Sequence, residues 1–282
     1  MELYKAKFLS QSYHYQEAID ALKNRLNNYE GWSIYLNALQ HLRRDCEVKK
    51  NILSLISNSN QYSDMEYYYI ILRNSGHLFE FDNAVANLQQ ALEYFQSLNN
   101  NFVESTCLNN IGILYLYTSY NSEHISIARK YFNQAKKIMH QLNSNEEYQS
   151  IINIGVSYVC ENNPKLALEY FECAQMIIPS SLTFDIIKVK CNILICKYLL
   201  NKQTIVHIRE ELLNLCSEAD DLPDPWLKLL CIYNLYILRH DGISDLNSLQ
   251  DSYPGDINLY GLIIKHQNIE NFMLGISPHW RY

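Results

Sequence analysis

Residues 148–181 read YQSIINIGVSYVCENNPKLALEYFECAQMIIPSS, and the order of small and bulky residues in this stretch decides the fold. Ile151, Ile154, Gly155 and Tyr158 recur at helical spacing ahead of the Asn-Asn-Pro break at 162–164. Ala167, Phe171 and Ala174 recur in the same way after it, up to Pro179. The pattern predicts two antiparallel helices in close contact: Gly155 lets the second helix approach the first, Ala167 and Ala174 reciprocate, and Tyr158 and Phe171 fill the space beside the contact. Asn163 before Pro164 is a helix start, an N-cap followed by proline at the first helical position. Pro179 ends the second helix, because it lacks an amide donor and clashes with the preceding turn.

The same offsets recur on both sides. Leu108, Ile111, Gly112 and Tyr115 repeat the first helix, and Ala128, Phe132 and Ala135 the second. The gap from Gly112 to Ala128 is four residues longer than that from Gly155 to Ala167, which predicts a protruding loop at 117–124; its length costs little entropy. Upstream, Phe81, Ala84, Leu88 and Ala91 match a second helix, preceded by an aromatic helix around 67–72. Ala6, Leu9, Tyr15, Ala18 and Leu22 form another unit, and Trp32, Leu36, Leu39, Val48, Ile52 and Leu55 a degenerate one. Downstream, 186–200 pairs with 204–216, and 225–239 with 244–252, the last pair opened by Asp224-Pro225. Pro254-Gly255 breaks the chain before a closing helix at 256–272. No strand alternation is found.

In 148–181 these residues occupy the fourth, seventh, eighth, eleventh, twentieth, twenty-fourth, twenty-seventh and thirty-second places of a 34-residue unit, and the chain thereby resembles the tetratricopeptide repeat (TPR) family. The resemblance implies an all-α, right-handed α-solenoid of helix pairs spanning 1–282 as one domain. Its clearest repeats are 105–140 and 148–181, with degenerate repeats over 1–100 and 182–252, and a C-terminal capping helix and tail over 255–282. It also implies a scaffold for recognition: another protein or a peptide held in the concave groove, with no cofactor, metal or catalytic residue. The pattern begins by Ala6, leaving no room for the N-terminal effector that signal-peptide receptors of this family carry, so output is expected through a separate protein.

Composition narrows the function classes. With 23 basic against 30 acidic residues the net charge is −7, which opposes extended contact with phosphate backbones, so direct nucleic-acid binding is not expected. The N-terminus has no apolar signal core and the longest apolar runs fall short of a membrane span, so a cytoplasmic, non-membrane protein is expected. Eight cysteines without a C-x-x-C pair read as small buried hydrophobes of a reducing compartment. Nine scattered histidines form no H-x-x-x-H pair, and no phosphate-cradling glycine loop occurs. Glu146–Glu147 and Asp220–Asp221 read as solvated charge near helix ends.

The functional candidate is a ladder of asparagines. Asn110, Asn153, Asn192 and Asn234 precede an apolar residue at the same place in successive first helices, at spacings of 43, 39 and 42 residues, and Asn37 extends the series. An exposed carboxamide donates and accepts at once, so ladder side chains open to the groove can pair with the N–H and C=O of an extended peptide. The same residue type can instead bond the neighbouring repeat and set the solenoid twist. Resemblance to peptide-binding TPR proteins, such as kinesin light chains and bacterial quorum-peptide receptors, supports the first role. Lys188, Lys190 and Lys197 could receive a carboxylate, as basic clamps do in chaperone-binding TPR proteins, but the clamp's other lysines are not present and the three read as a solvated helix face. One of Tyr67, Tyr68 and Tyr69 must be accessible, since three successive residues cannot share one helical face. The tail residues Trp280, Arg281 and Tyr282 are either partner anchors or a fold-back cap on the last repeat.

Overall fold

The computed structural model describes residues 2–11, 14–23, 26, 29–42, 44–57, 63, 81–118, 122–220, 222, 225–238, 261–263 and 273–275. Among them are twelve α-helices, which we number in chain order: α1 Glu2–Gln11, α2 Tyr15–Leu22, α3 Tyr29–His41, α4 Asp45–Ser57, α5 Phe81–Ser97, α6 Asn101–Thr118, α7 Ser122–Gln141, α8 Glu147–Cys160, α9 Pro164–Ile177, α10 Thr183–Leu199, α11 Ile205–Asp220 and α12 Pro225–Ile237. The fold is all-α in class. From α5 to α12 each helix packs on the next in sequence.

The pairing follows the small-residue pattern. A Cβ at Gly155 would lie 2.6 Å from Phe171 Cε1, and one at Gly112 would lie 2.5 Å from Phe132 Cε1. Each phenylalanine ring of a second helix therefore rests on the bare backbone of its first helix. On α7 the buried residues Ile125, Ala128, Phe132, Ala135 and Met139 make a single stripe at three- and four-residue steps. The first helices differ: eleven of the fourteen residues of α8 are buried, as in a helix covered on every side. Arg129 of α7 ties one unit to the next. Its Nε donates to Ser157 Oγ at 2.8 Å, its guanidinium pairs with Glu161 at 2.7 Å and lies 4.0 Å from the Tyr158 ring centroid. The N-terminal helices α1–α4 hold a separate cluster that includes Ala6, Ala18, Leu22, Leu39 and Ile52, all buried.

Helix ends use asparagine twice over. Asn163 caps α9, its Oδ1 accepting from Leu166 N at 3.2 Å. Asn99, Asn143, Asn162 and Asn201, one after each of α5, α7, α8 and α10, have φ of 53, 51, 59 and 51°. In this left-handed region asparagine is tolerated better than other non-glycine residues. The following amide then reaches back over the last turn, as Asn163 N does to Tyr158 O at 2.8 Å and Lys202 N to Lys197 O at 2.9 Å.

Two expectations are corrected. Of the loop expected over 117–124, residues 117–118 and 122–124 are helical, and 119–121 lie outside the described residues. The helical ones lengthen the helices, α6 running on to Thr118 and α7 starting at Ser122, and His124 stacks on Phe81 with ring centroids 5.7 Å apart. The capping helix expected at 256–272 is not formed at Gly261–Ile263, which is strand β1 and pairs antiparallel with β2, Met273–Gly275. The extended conformation of β1 is held by its pairing with β2, where Gly261 lies opposite Gly275, and Gly275 in turn gives its amide and carbonyl to the side chain of Asn192. The expected helices at 67–72 and 244–252, with Tyr67, Tyr68 and Tyr69, lie outside the described residues, as does Asp224.

Gly155→Ala should lower stability by about 1–3 kcal/mol, since the new methyl must displace the Phe171 ring. Combining it with Phe171→Leu should cost less than the two changes summed, and thermal melts of the three variants check it. Burial pushes the Cys160 thiol up to about 12 and raises those of Cys107 and Cys196 further. The Cys191 thiol is raised by its contact with Cys231, Sγ to Sγ 3.4 Å, and by burial. Neutral, enclosed thiols react slowly, so an aromatic disulfide reagent at neutral pH should modify the exposed Cys173 first, the half-buried Cys160 more slowly, and the buried Cys107, Cys191 and Cys196 only on unfolding. Unfolded thiols ionise near pH 8.5 while the buried ones stay neutral, so this stabilisation is present below about pH 8.5 and falls as pH rises towards 12.

Candidate functional site

The four first helices α6, α8, α10 and α12 carry a polar seam. All twelve buried polar or charged residues found among the described residues lie on these helices, and none on a second helix. Each costs desolvation unless paired, so the seam reports what meets the first helices.

All four ladder asparagines belong to it, which corrects the expectation that they are exposed. Asn110 is 3% exposed and Asn153, Asn192 and Asn234 are each 0% exposed. The structure separates two of them by partner. Asn153 Nδ2 donates to Asn109 Oδ1 of the preceding first helix at 3.0 Å, and Ser150 Oγ donates to the same oxygen at 3.3 Å. This is the tie between repeats. Asn192 instead holds a peptide unit: Gly275 N donates to Asn192 Oδ1 at 2.8 Å, and Asn192 Nδ2 donates to Gly275 O at 2.8 Å. Both backbone groups of one extended residue are thus held by one carboxamide. Strand β2 packs against α10 and α12, two successive first helices.

Lys188 is corrected from solvated to buried, 3% exposed. One turn before Asn192, its Nζ donates to Asp185 Oδ1 at 2.7 Å, and Tyr148 OH of α8 donates to Asp185 Oδ2 at 2.9 Å. A buried ammonium is tolerated when a carboxylate neutralises it, so this triad adds no uncompensated charge. The Lys188 stem lies flat against β2, since a Cβ at Gly275 would collide with its Cγ and fall within 3.5 Å of Leu230 Cδ2. Neighbouring Leu274 is 0% exposed and joins the main hydrophobic core. Lys190 and Lys197 instead line an open cavity of about 320 Å³ between α9, α10 and α11, where Lys190 pairs with Glu218 at 3.5 Å.

Position in a repeat predicts the ladder, but it does not distinguish Asn153 from Asn192. Asn109, Asp185 and Tyr148 were missed; the polar residues of the apolar runs 107–116, 148–157 and 184–196 are the signal that could have found them. Trp280, Arg281 and Tyr282 lie outside the described residues. Among the described residues no helix is long and apolar enough to cross a membrane, and no group of three or more metal-binding side chains occurs.

No protein-family model and no curated protein matches the sequence. Among solved structures, the chain is similar to a Rap protein complexed with competence and sporulation factor, with a TM-score of 0.60 at 12% identity, over 89% of this chain and 74% of that one. The likeness establishes a helical repeat fold.

Proposed function

We propose that this chain is a non-catalytic interaction module of the TPR type, a single solenoid over 1–282 that holds an extended peptide or partner segment along its first helices. The observation that carries the reading is Asn192. A fully buried carboxamide joined to the N–H and C=O of one extended residue is peptide-backbone recognition already in place. Asn110 and Asn234 belong to the same polar row and extend it to the neighbouring units, whereas Asn153 serves the contact between repeats.

A second reading, a cytoplasmic receptor for a signal peptide that acts through a separate effector protein, is favoured by the fold shared with a Rap protein solved together with competence and sporulation factor. Both readings place an extended peptide on the first helices. They differ in whether the ligand is a free peptide or a segment of a folded partner.

Selection from a displayed library of unstructured peptides tests the reading. Selected peptides should lose about 10- to 30-fold in affinity with Asn192→Ala, from two backbone hydrogen bonds at about 1 kcal/mol each. Asn153→Ala should melt lower yet bind normally once folded. Peptides indifferent to Asn192, or a library that yields no binder, would overturn it.

A further inference from the structure

Strand β2 does at Asn192 what a bound peptide would do. It has three residues, and its partner β1 has three, too short a ribbon to be stable alone. What anchors it is the paired bonds from Asn192 to Gly275 and the complete burial of Leu274. The chemistry of that seat is narrow. Lys188 is neutralised by Asp185, so the seat offers an incoming segment no net charge to read. Its Cγ and Cδ, with Leu230 Cδ2, close over the position where a side chain would start at Gly275. One residue earlier, an apolar side chain passes into the core.

We infer that the groove has a subsite at Asn192, closed by Lys188 and Leu230, which selects an apolar residue followed by glycine in an extended segment. Met273–Gly275 is its resident occupant, and a free peptide or partner segment of the same chemistry competes with it. The inference rests on the peptide-groove reading above. Tethering gives the resident strand a high effective concentration, so a competitor meets an open subsite only in the fraction of molecules from which β2 has left, and its apparent affinity falls by that fraction.

The test uses the full chain and a fluorescent peptide of sequence Asn-Phe-Met-Leu-Gly-Ile-Ser, that of residues 271–277. Gly275→Val should evict the resident strand and raise affinity for the free peptide by about tenfold or more over the unaltered chain. Leu274→Ser, which removes the anchor without added bulk, should do the same. The peptide with valine in place of its glycine should bind none of the three proteins. Circular dichroism confirms that the helices persist in both variants. Equal affinity of the unaltered and both altered chains would overturn the resident strand, and tight binding of the valine peptide would overturn the glycine selection. If library-selected peptides without an apolar-glycine step bind through Asn192, this inference fails and the peptide reading stands. If no peptide of any sequence binds, the peptide reading fails and this one with it.

Discussion

Two phenylalanine rings seated on two glycines, Phe132 on Gly112 and Phe171 on Gly155, set the distance on which everything else in the central units depends. A ring lying directly on a helix backbone brings the two axes as close as side chains permit. The first helix of each unit then lies beneath its own second helix and beside its neighbours, which is why α8 is buried almost throughout. Van der Waals contact on the remaining sides leaves one row of the first helices as the place where buried polar groups find partners within the chain. The seam of buried Asn, Ser, Asp and Lys residues on α6, α8, α10 and α12 is therefore a consequence of the close packing that surrounds it.

Sequence reasoning reaches this architecture easily because the constraint is local. Gly155, Ala167 and Phe171 must stand at set offsets for the helices to touch, so the offsets are visible without any coordinates. The pattern holds wherever the contact is tight: Ala84, Leu88 and Ala91, or Ala128, Phe132 and Ala135, are all buried. It misleads where the constraint is long-range. The extra residues after Gly112 are compatible with a loop or with longer helices, and the longer helices bring His124 against Phe81, 43 positions away. Strand β2 is extended because of a side chain 83 positions away, and no window of local sequence contains that fact.

Asparagine shows the same limit residue by residue. Besides the N-cap at Asn163, the abundance that makes a ladder easy to draw has three separate physical origins here. Asn99, Asn143, Asn162 and Asn201 adopt positive φ after helices, a role signalled by the Leu-Asn or Asn-Asn pairs at those breaks. Asn153 meets Asn109 across a repeat boundary. Asn192 meets a backbone. The last two occupy equivalent places in their helices, so periodicity ranks them equally; what separates them is the surface each one faces, which belongs to the assembled solenoid.

That difference decides which asparagine can carry specificity. A carboxamide buried against another side chain is satisfied by the fold alone and gains nothing from a ligand. Asn192 draws both of its bonds from a segment that reaches it only through tertiary contact, and leaving those bonds unmade in a dry site costs about 1–3 kcal/mol. The fold therefore favours a state in which an extended backbone, here β2, lies against α10 and α12. Backbone pairing alone accepts any sequence. Discrimination enters through the side chains around it: Lys188, drawn down by Asp185 and Tyr148, covers the next position with a methylene stem and leaves room for glycine. A buried ion pair thus acts here through shape. Its charge is spent internally, and its hydrocarbon limits what the asparagine can hold.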